Sequence, residues 1–193
     1  AVSRQEEQKR LGLLYSLLSD TPPRAVACTV SGLLQRCIPP EQLRGAAFRL
    51  AVGEESSLEE AERRLLLCGF QRTEQVEGPG QFSRRGGILD FFTPGYAQPI
   101  RCEFWGDKID SMGLFDTDSQ RRTESLEQCI ILPAAETLPS LFPGGGPALG
   151  ETLEQLAHRQ RQKKSSDSAQ ALAQTLTEDG EKLREGVLIR DAD

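Results

Sequence analysis

Apolar positions along this chain change their period more than once, and each change predicts a different kind of element. Near the start, Leu11, Leu14, Tyr15 and Leu18 recur at helical spacing among charged residues, which predicts an amphipathic helix over residues 3–18. Ser3 followed by Glu6 has the form of a capping box, and Pro22-Pro23 closes the unit. Ala25 to Val30 is a short apolar run suited to a buried strand, with a turn or helix following over Ser31 to Cys37. Helix, strand, helix is the grammar of an α/β domain, although this opening is too short to close a sheet by itself.

Pro39-Pro40 marks a boundary. Phe48 to Val52 reads as a strand, and Ser57-Leu58-Glu59-Glu60 as a second capping box opening a helix with Leu58, Ala61, Leu65 and Leu66 on one side. Gly69 is placed to cap that helix in the left-handed conformation. From Phe70 the period falls to two. Gln81 to Arg85, Ile88 to Phe92, Ile100 to Trp105 and Lys108 to Phe115 read as four strands, separated by Gly86-Gly87, Thr93-Pro94-Gly95 and Gly106-Asp107. Such short connections require antiparallel neighbours, because parallel strands need long crossovers. Residues 44–115 are therefore expected to form a compact α+β unit with an antiparallel β-meander. Ser125 to Leu132 supplies a further strand, residues 133–150 a Pro/Gly-rich linker, and Glu151 to Glu185 sparse helix interrupted at Ser165-Ser166 and Gly180.

Composition refines this picture. The 193 residues carry a formal charge of -6, which argues against non-specific nucleic-acid binding except through a local basic patch. Cys28, Cys37, Cys68, Cys102 and Cys129 form no CxxC pair, and most lie beside apolar residues, so buried reduced thiols of a cytoplasmic protein are expected rather than disulfides or zinc. The longest apolar runs are too short to span a bilayer. Ala1 to Gln5 leads straight into a helix pattern, so no signal peptide is expected; the absence of an initial Met and an abrupt end suggest a piece of a longer protein.

The chemistry of a reaction centre is hard to find. There is no GxxxxGK[ST] phosphate loop, and Gly144-Gly145-Gly146 lacks the lysine and the preceding strand. His158 is the only histidine and has no second ligand or base partner in its polar surroundings. Glu54, Glu55, Glu59, Glu60 and Glu62 crowd a helix start, where they complement its dipole better than they build a metal site. The run Arg159, Arg161, Lys163, Lys164 is a candidate DNA contact without interleaved aromatics, and a solvated helix face explains it more simply. No catalytic residue, metal ligand or cofactor is expected.

One strand does stand out. In Ile100-Arg101-Cys102-Glu103-Phe104-Trp105, alternation sends Ile100, Cys102 and Phe104 to one face and Arg101, Glu103 and Trp105 to the other. The only tryptophan thus falls on a polar face beside an arginine, with Arg84-Arg85 ending an earlier strand of the same meander. Trp and Arg are the residues most enriched at binding hot spots. An ordinary cross-strand cation–π or ion-pair ladder, its indole covered by a neighbouring domain, fits the same spacing equally well.

At these residues the chain resembles a known family. Gly80 to Gly95 is similar to G-E-F-x-x-R-G-G-I-[IL]-D-[IL]-F-P-P-G, Pro99 to Ser111 to P-[VI]-R-[IL]-[ED]-F-F-[GD]-[DE]-E-I-[ED]-S, and Phe115-Asp116 with Ser119-Gln120-Arg121 to F-D-x-x-[ST]-Q-R. This is the pattern of the transcription-repair coupling factors, in the part they share with the excision-repair helicase UvrB. The resemblance implies that residues 44–115 are the domain that binds UvrA, inserted into a partial, degenerate motor-like α/β domain made of residues 1–43 and 116–193. It also implies a non-catalytic fragment that recruits UvrA to stalled transcription complexes. In the full-length proteins RNA polymerase, DNA and ATP are further partners through other regions, and no membrane is involved. The UvrA-binding positions it implies are Arg85, Arg101 and Trp105, where Trp105 replaces a common Phe; Arg84 and Glu103 are possible additions. Thr93 stands in place of a usual Pro, a change expected to affect only turn stiffness. The alternative reading is a DNA-contacting domain of a repair helicase-like protein.

Overall fold

The computed structural model describes residues 4–162 and 167–185. The predicted cap Ser3, the basic residues Lys163 and Lys164, and the pair Ser165-Ser166 lie outside them. Compactness divides the chain into residues 1–136 and 137–193.

The first unit opens with helices α1 (Arg4–Leu17), α2 (Val30–Leu34) and α3 (Pro40–Ala46). Strand β1 (Phe48–Ala51) and helix α4 (Leu58–Leu67) follow. The remaining strands are β2 (Gln71–Arg72), β3 (Gln81–Arg85), β4 (Ile88–Phe91), β5 (Ile100–Trp105), β6 (Lys108–Phe115), β7 (Arg122–Ser125) and β8 (Gln128–Ile131). Strands β2 to β7 form one six-stranded sheet in sequence order, antiparallel except for the β2–β3 pair. A separate antiparallel pair joins β1 to β8, with Phe48 opposite Ile131. The meander over residues 81–115 is as the period-two pattern predicts, and the chain is a mixed α+β structure with antiparallel sheets. Beyond residue 115, β7 extends the meander and β8 closes onto β1.

Helix α4 shows why local sequence suffices there. The Ser57 hydroxyl accepts the Glu60 N–H at 3.1 Å, and Leu58, Ala61 and Leu65 are buried. At the other end Gly69 adopts φ +81°, so the N–H groups of Phe70 and Gly69 reach the carbonyls of Leu65 and Leu66 at 3.1 and 3.0 Å, a Schellman cap. Leu66, which helical spacing puts on the same side, is exposed. Ala61 and Leu65 join Phe82, Leu89, Phe91, Ile100, Cys102 and Met112 in one core. Each buried aromatic or aliphatic side chain there contributes about 1.5–3 kcal/mol of transfer free energy.

Several expectations need correction. Residues 25–29 form no strand, and the whole stretch is exposed; instead Thr29 caps α2 by accepting the Gly32 N–H at 3.1 Å. A strand needs neighbours to satisfy its backbone, and among the described residues no strand pairs with this one. Cys28 and Cys37 are consequently exposed, whereas Cys68, Cys102 and Cys129 are buried as expected. Burial pushes the Cys68 thiol up to about 11 and Cys129 to about 12, so neither is a ready nucleophile. Thr93 does more than stiffen a turn. Its fully buried hydroxyl accepts the Leu132 N–H at 2.9 Å, a bond that proline could not make.

The second unit contains a short 3₁₀ turn (Pro139–Leu141) and helices α5 (Gly145–Gln162) and α6 (Asp167–Arg184). The expected linker to residue 150 is therefore shorter, because Pro147 is tolerated in the first turn of α5. Gly180 does not interrupt α6 either. It faces Gly150 of α5, and a Cβ on either glycine would lie 2.6–2.9 Å from the other's carbonyl oxygen. The glycines let the two backbones approach closely. Gly150→Ala, normally worth about 1 kcal/mol in helix propensity, is thus expected to destabilise this hairpin by about 1–3 kcal/mol through overpacking. Gly45→Ala, in α3 with nothing within 4 Å, is the control and should be neutral or stabilising. Thermal melts followed by circular dichroism distinguish the two, and a raised midpoint for Gly150→Ala would refute the close packing. No described helix is long and apolar enough to cross a membrane.

Candidate protein-docking surface

Strand β5 organises the site. Ile100 and Cys102 are fully buried on the side facing α4, and Phe104 packs partly against the same core. The register shift between Glu103 and Phe104 skips Asp110 of β6, so the extra residue belongs to β6 and the alternation of β5 continues unbroken. Arg101, Glu103 and Trp105 therefore share the opposite face. The pairing rows extend it: Ser83, Asp90 and Arg101 stand side by side across β3, β4 and β5, and Arg85, Ile88, Glu103 and Ser111 form the next row.

These two rows have different fates. The inner row is roofed. The Ser83 hydroxyl donates to the Glu74 carbonyl at 2.9 Å, Gln75 donates to the Thr117 carbonyl at 3.4 Å, and Gln120 receives two bonds from Arg101. The outer row is open. Trp105 is 84% exposed at the end of its strand, opposite Lys108 across the Gly106-Asp107 turn. Gly87 makes room for this arrangement, because a Cβ there would sit 2.9 Å from the Phe104 carbonyl oxygen. Phe104 instead donates its N–H to the Gly87 carbonyl at 2.8 Å, tying the β3–β4 turn against the strand that carries the indole.

Asp90 is the electrostatic centre. Its side chain is 3% exposed and accepts from Arg101 Nε at 2.7 Å, Arg101 Nη2 at 2.8 Å and Arg85 Nη2 at 3.1 Å. One buried carboxylate thus answers two guanidiniums and leaves the trio positively charged. The hydrogen bonds it donates to Asp90 raise the Arg101 guanidinium further above its ordinary value, so it remains charged. Arg101 is 16% exposed and its plane lies over the Phe115 ring at 4.4 Å. Arg85 is 53% exposed, and Asp90 is its only ion-pair partner among the described residues. An open groove of about 460 Å³ beside it is lined by Arg72, Thr73, Glu74, Ser83, Arg84 and Arg85.

The other sequence-derived candidates fall elsewhere. Arg84 sits on the α4 side of the sheet, bonded to Glu62 at 2.9 Å and Glu59 at 2.6 Å. Glu103 stays on the outer row, paired with Arg122 at 3.1 Å, and Arg122 also donates to Ser111 at 2.9 Å. Arg161 donates to Thr177 at 3.0 Å within the helical hairpin, and exposed His158 lies 3.4 Å from Gln162. Glu54, Glu59, Glu60 and Glu62 are each paired with arginine, and among the described residues no cluster of His, Cys, Asp and Glu could hold a metal. Asp90, Gln120 and Arg122 were not anticipated. Asp90 had one legible signal, as the single acid inside the apolar run Ile88 to Phe92.

One face of the sheet closes the core and the other carries an exposed indole and a half-exposed guanidinium, the residue types enriched at protein-interaction surfaces as a class. Comparison with known proteins gives that class its family. The profile described as the UvrB interaction domain matches residues 48–136. The wider chain is similar to transcription-repair-coupling factors. It is 39% identical to the one from Myxococcus xanthus over 130 residues, covering 67% of this chain and 11% of that protein. Identity to the Escherichia coli protein is 38% over 128 residues, covering 66% and 11%. With the Bacillus subtilis protein it is 28% over 180 residues, covering 92% and 15%. The chain thus spans only 11–15% of the length of these relatives, and within it residues 48–136 match a repair-related interaction domain.

Proposed function

We propose that the outer row of this sheet docks UvrA, and that the chain serves a coupling factor in recruiting UvrA to stalled transcription complexes. The observation that carries the reading is Trp105, the chain's only tryptophan, 84% exposed on a hairpin whose strands pair within the sheet. Leaving that apolar area in water forgoes a few kcal/mol of burial, which a binding partner recovers. Arg85 lies on the same face with donors to spare, suited to a partner carboxylate. Glu103 and Arg122 flank them as a rim pair that can set orientation more than affinity.

On this reading residues 44–115 are the docking unit, with residues 1–43 and 116–193 as flanking pieces of a motor-like domain. The motor's ATP and DNA, and RNA polymerase, would be engaged by other regions of a longer protein. The direct test is calorimetric titration of purified UvrA with the 193-residue chain and with Arg85→Glu. Reversing that charge is expected to weaken binding at least tenfold, about 1.4 kcal/mol. Equal affinity for both would remove Arg85 from the contact surface.

A further inference from the structure

Arg101 shares the docking face by strand alternation, yet its geometry is that of a group already occupied. Its guanidinium donates four hydrogen bonds: two to the Asp90 carboxylate, one to the Gln120 carbonyl at 3.2 Å and one to Gln120 Oε1 at 3.0 Å. A single N–H is left over, so no fork remains for a partner carboxylate. The Phe115 ring covers one side of its plane.

The residue that receives two of those bonds is the only non-glycine with positive φ among the described residues, Gln120 at +59°. That conformation is unfavourable for an L-residue and persists only where surrounding bonds impose it. Here they do. Gln120 donates its N–H to the Asp116 carbonyl at 2.8 Å and its side-chain amide to the Thr117 carbonyl at 2.8 Å. Asp116 Oδ1 accepts from both the N–H and the hydroxyl of Ser119, and the Asp116 N–H closes the loop on the Arg121 carbonyl at 3.0 Å. The left-handed turn aims the carbonyl and side-chain oxygen of Gln120 together at one guanidinium.

We propose that Arg101 is a positioning residue of the docking face. It fixes Asp90, and through Asp90 the headgroup of Arg85, while pinning the loop Asp116–Arg121 as a rigid rim beside the surface the partner touches. This rests on the docking reading above, and it removes Arg101 from the set of contacts. Lysine at position 101 keeps the charge but cannot chelate Asp90 and reach both oxygens of Gln120 at once.

The experiment uses Arg101→Lys and Gln120→Ala in the 193-residue chain, with two readouts. Without partner, amide hydrogen exchange at Asp116, Ser119 and Gln120 is expected to accelerate at least tenfold in Arg101→Lys. With purified UvrA, affinity is expected to fall at least tenfold in Arg101→Lys despite the retained charge. Gln120→Ala, which alters no charge on the face, should lose about fivefold. Exchange at wild-type rates in Arg101→Lys overturns the proposal, whatever its affinity, because the loop would then be held by something else. Accelerated exchange with wild-type affinity overturns the rim's part in docking. Trp105→Ala is the control for the underlying reading. Wild-type affinity in that variant would sink the docking surface itself, while the exchange measurement would still decide whether Arg101 holds the loop.

Discussion

Asp90→Ala is expected to lower the stability of the 193-residue chain by about 3 kcal/mol, seen as a reduced urea midpoint with an unchanged slope. The carboxylate is 3% exposed and is the acid on which both Arg85 and Arg101 converge. Breaking a buried pair from one side leaves an uncompensated charge, for which about 3–5 kcal/mol is typical. The lower end is appropriate here because Arg101 keeps its two bonds to Gln120 and retains some access to water. Arg85 adds little, since its headgroup can turn outward. Adding Arg101→Met to Asp90→Ala should recover part of the loss, because the stranded guanidinium is then gone and a chain of similar volume packs on Phe115. A fall of less than about 1 kcal/mol for Asp90→Ala would show that the network is not a stabilising element.

Trp105→Ala is expected to do the opposite, leaving stability within about 0.5 kcal/mol of wild type while weakening UvrA binding by about 2 kcal/mol or more, roughly 30-fold. The indole is 84% exposed, so its removal opens no cavity and strands no polar group. At an interface the same side chain is a rigid aromatic of large area, whose ordering on binding costs little because the hairpin already holds it. Trp105→Phe, the residue common at the corresponding position of the resembled family, should restore most of the affinity. Titration calorimetry and a urea melt on the same preparations separate the two effects. Binding that survives Trp105→Ala at wild-type strength would remove the central contact from the proposal.

The sequence carried much of this architecture wherever a local pattern completes its own hydrogen bonds. The helix from Leu58 to Leu67 has its hydroxyl cap and its glycine stop within a dozen residues, and the meander from Gln81 to Phe115 joins neighbouring strands through tight turns. The outward placement of Trp105 also followed from alternation, because the bulge that might have reversed it falls on β6 instead. The failures share a cause in partners distant along the chain. Ala25 to Val30 has the composition of a strand and no strand beside it among the described residues. Gly180 has the composition of a breaker and packs against Gly150, thirty positions earlier.

What the sequence determined by itself, then, was the alternation of faces and the ends of α4, because each depends on residues within one turn or one hairpin. Only the tertiary structure decided which of the outward groups are free. Arg85, Arg101 and Arg84 are the same residue type on neighbouring strands. One is half exposed beside the indole, one is chelated under a loop by Asp90 and Gln120, and one is turned toward α4 and its glutamates. A guanidinium's availability is set by which acceptors the fold brings within about 3 Å of it, and that is a property of the folded neighbourhood rather than of any local run of residues.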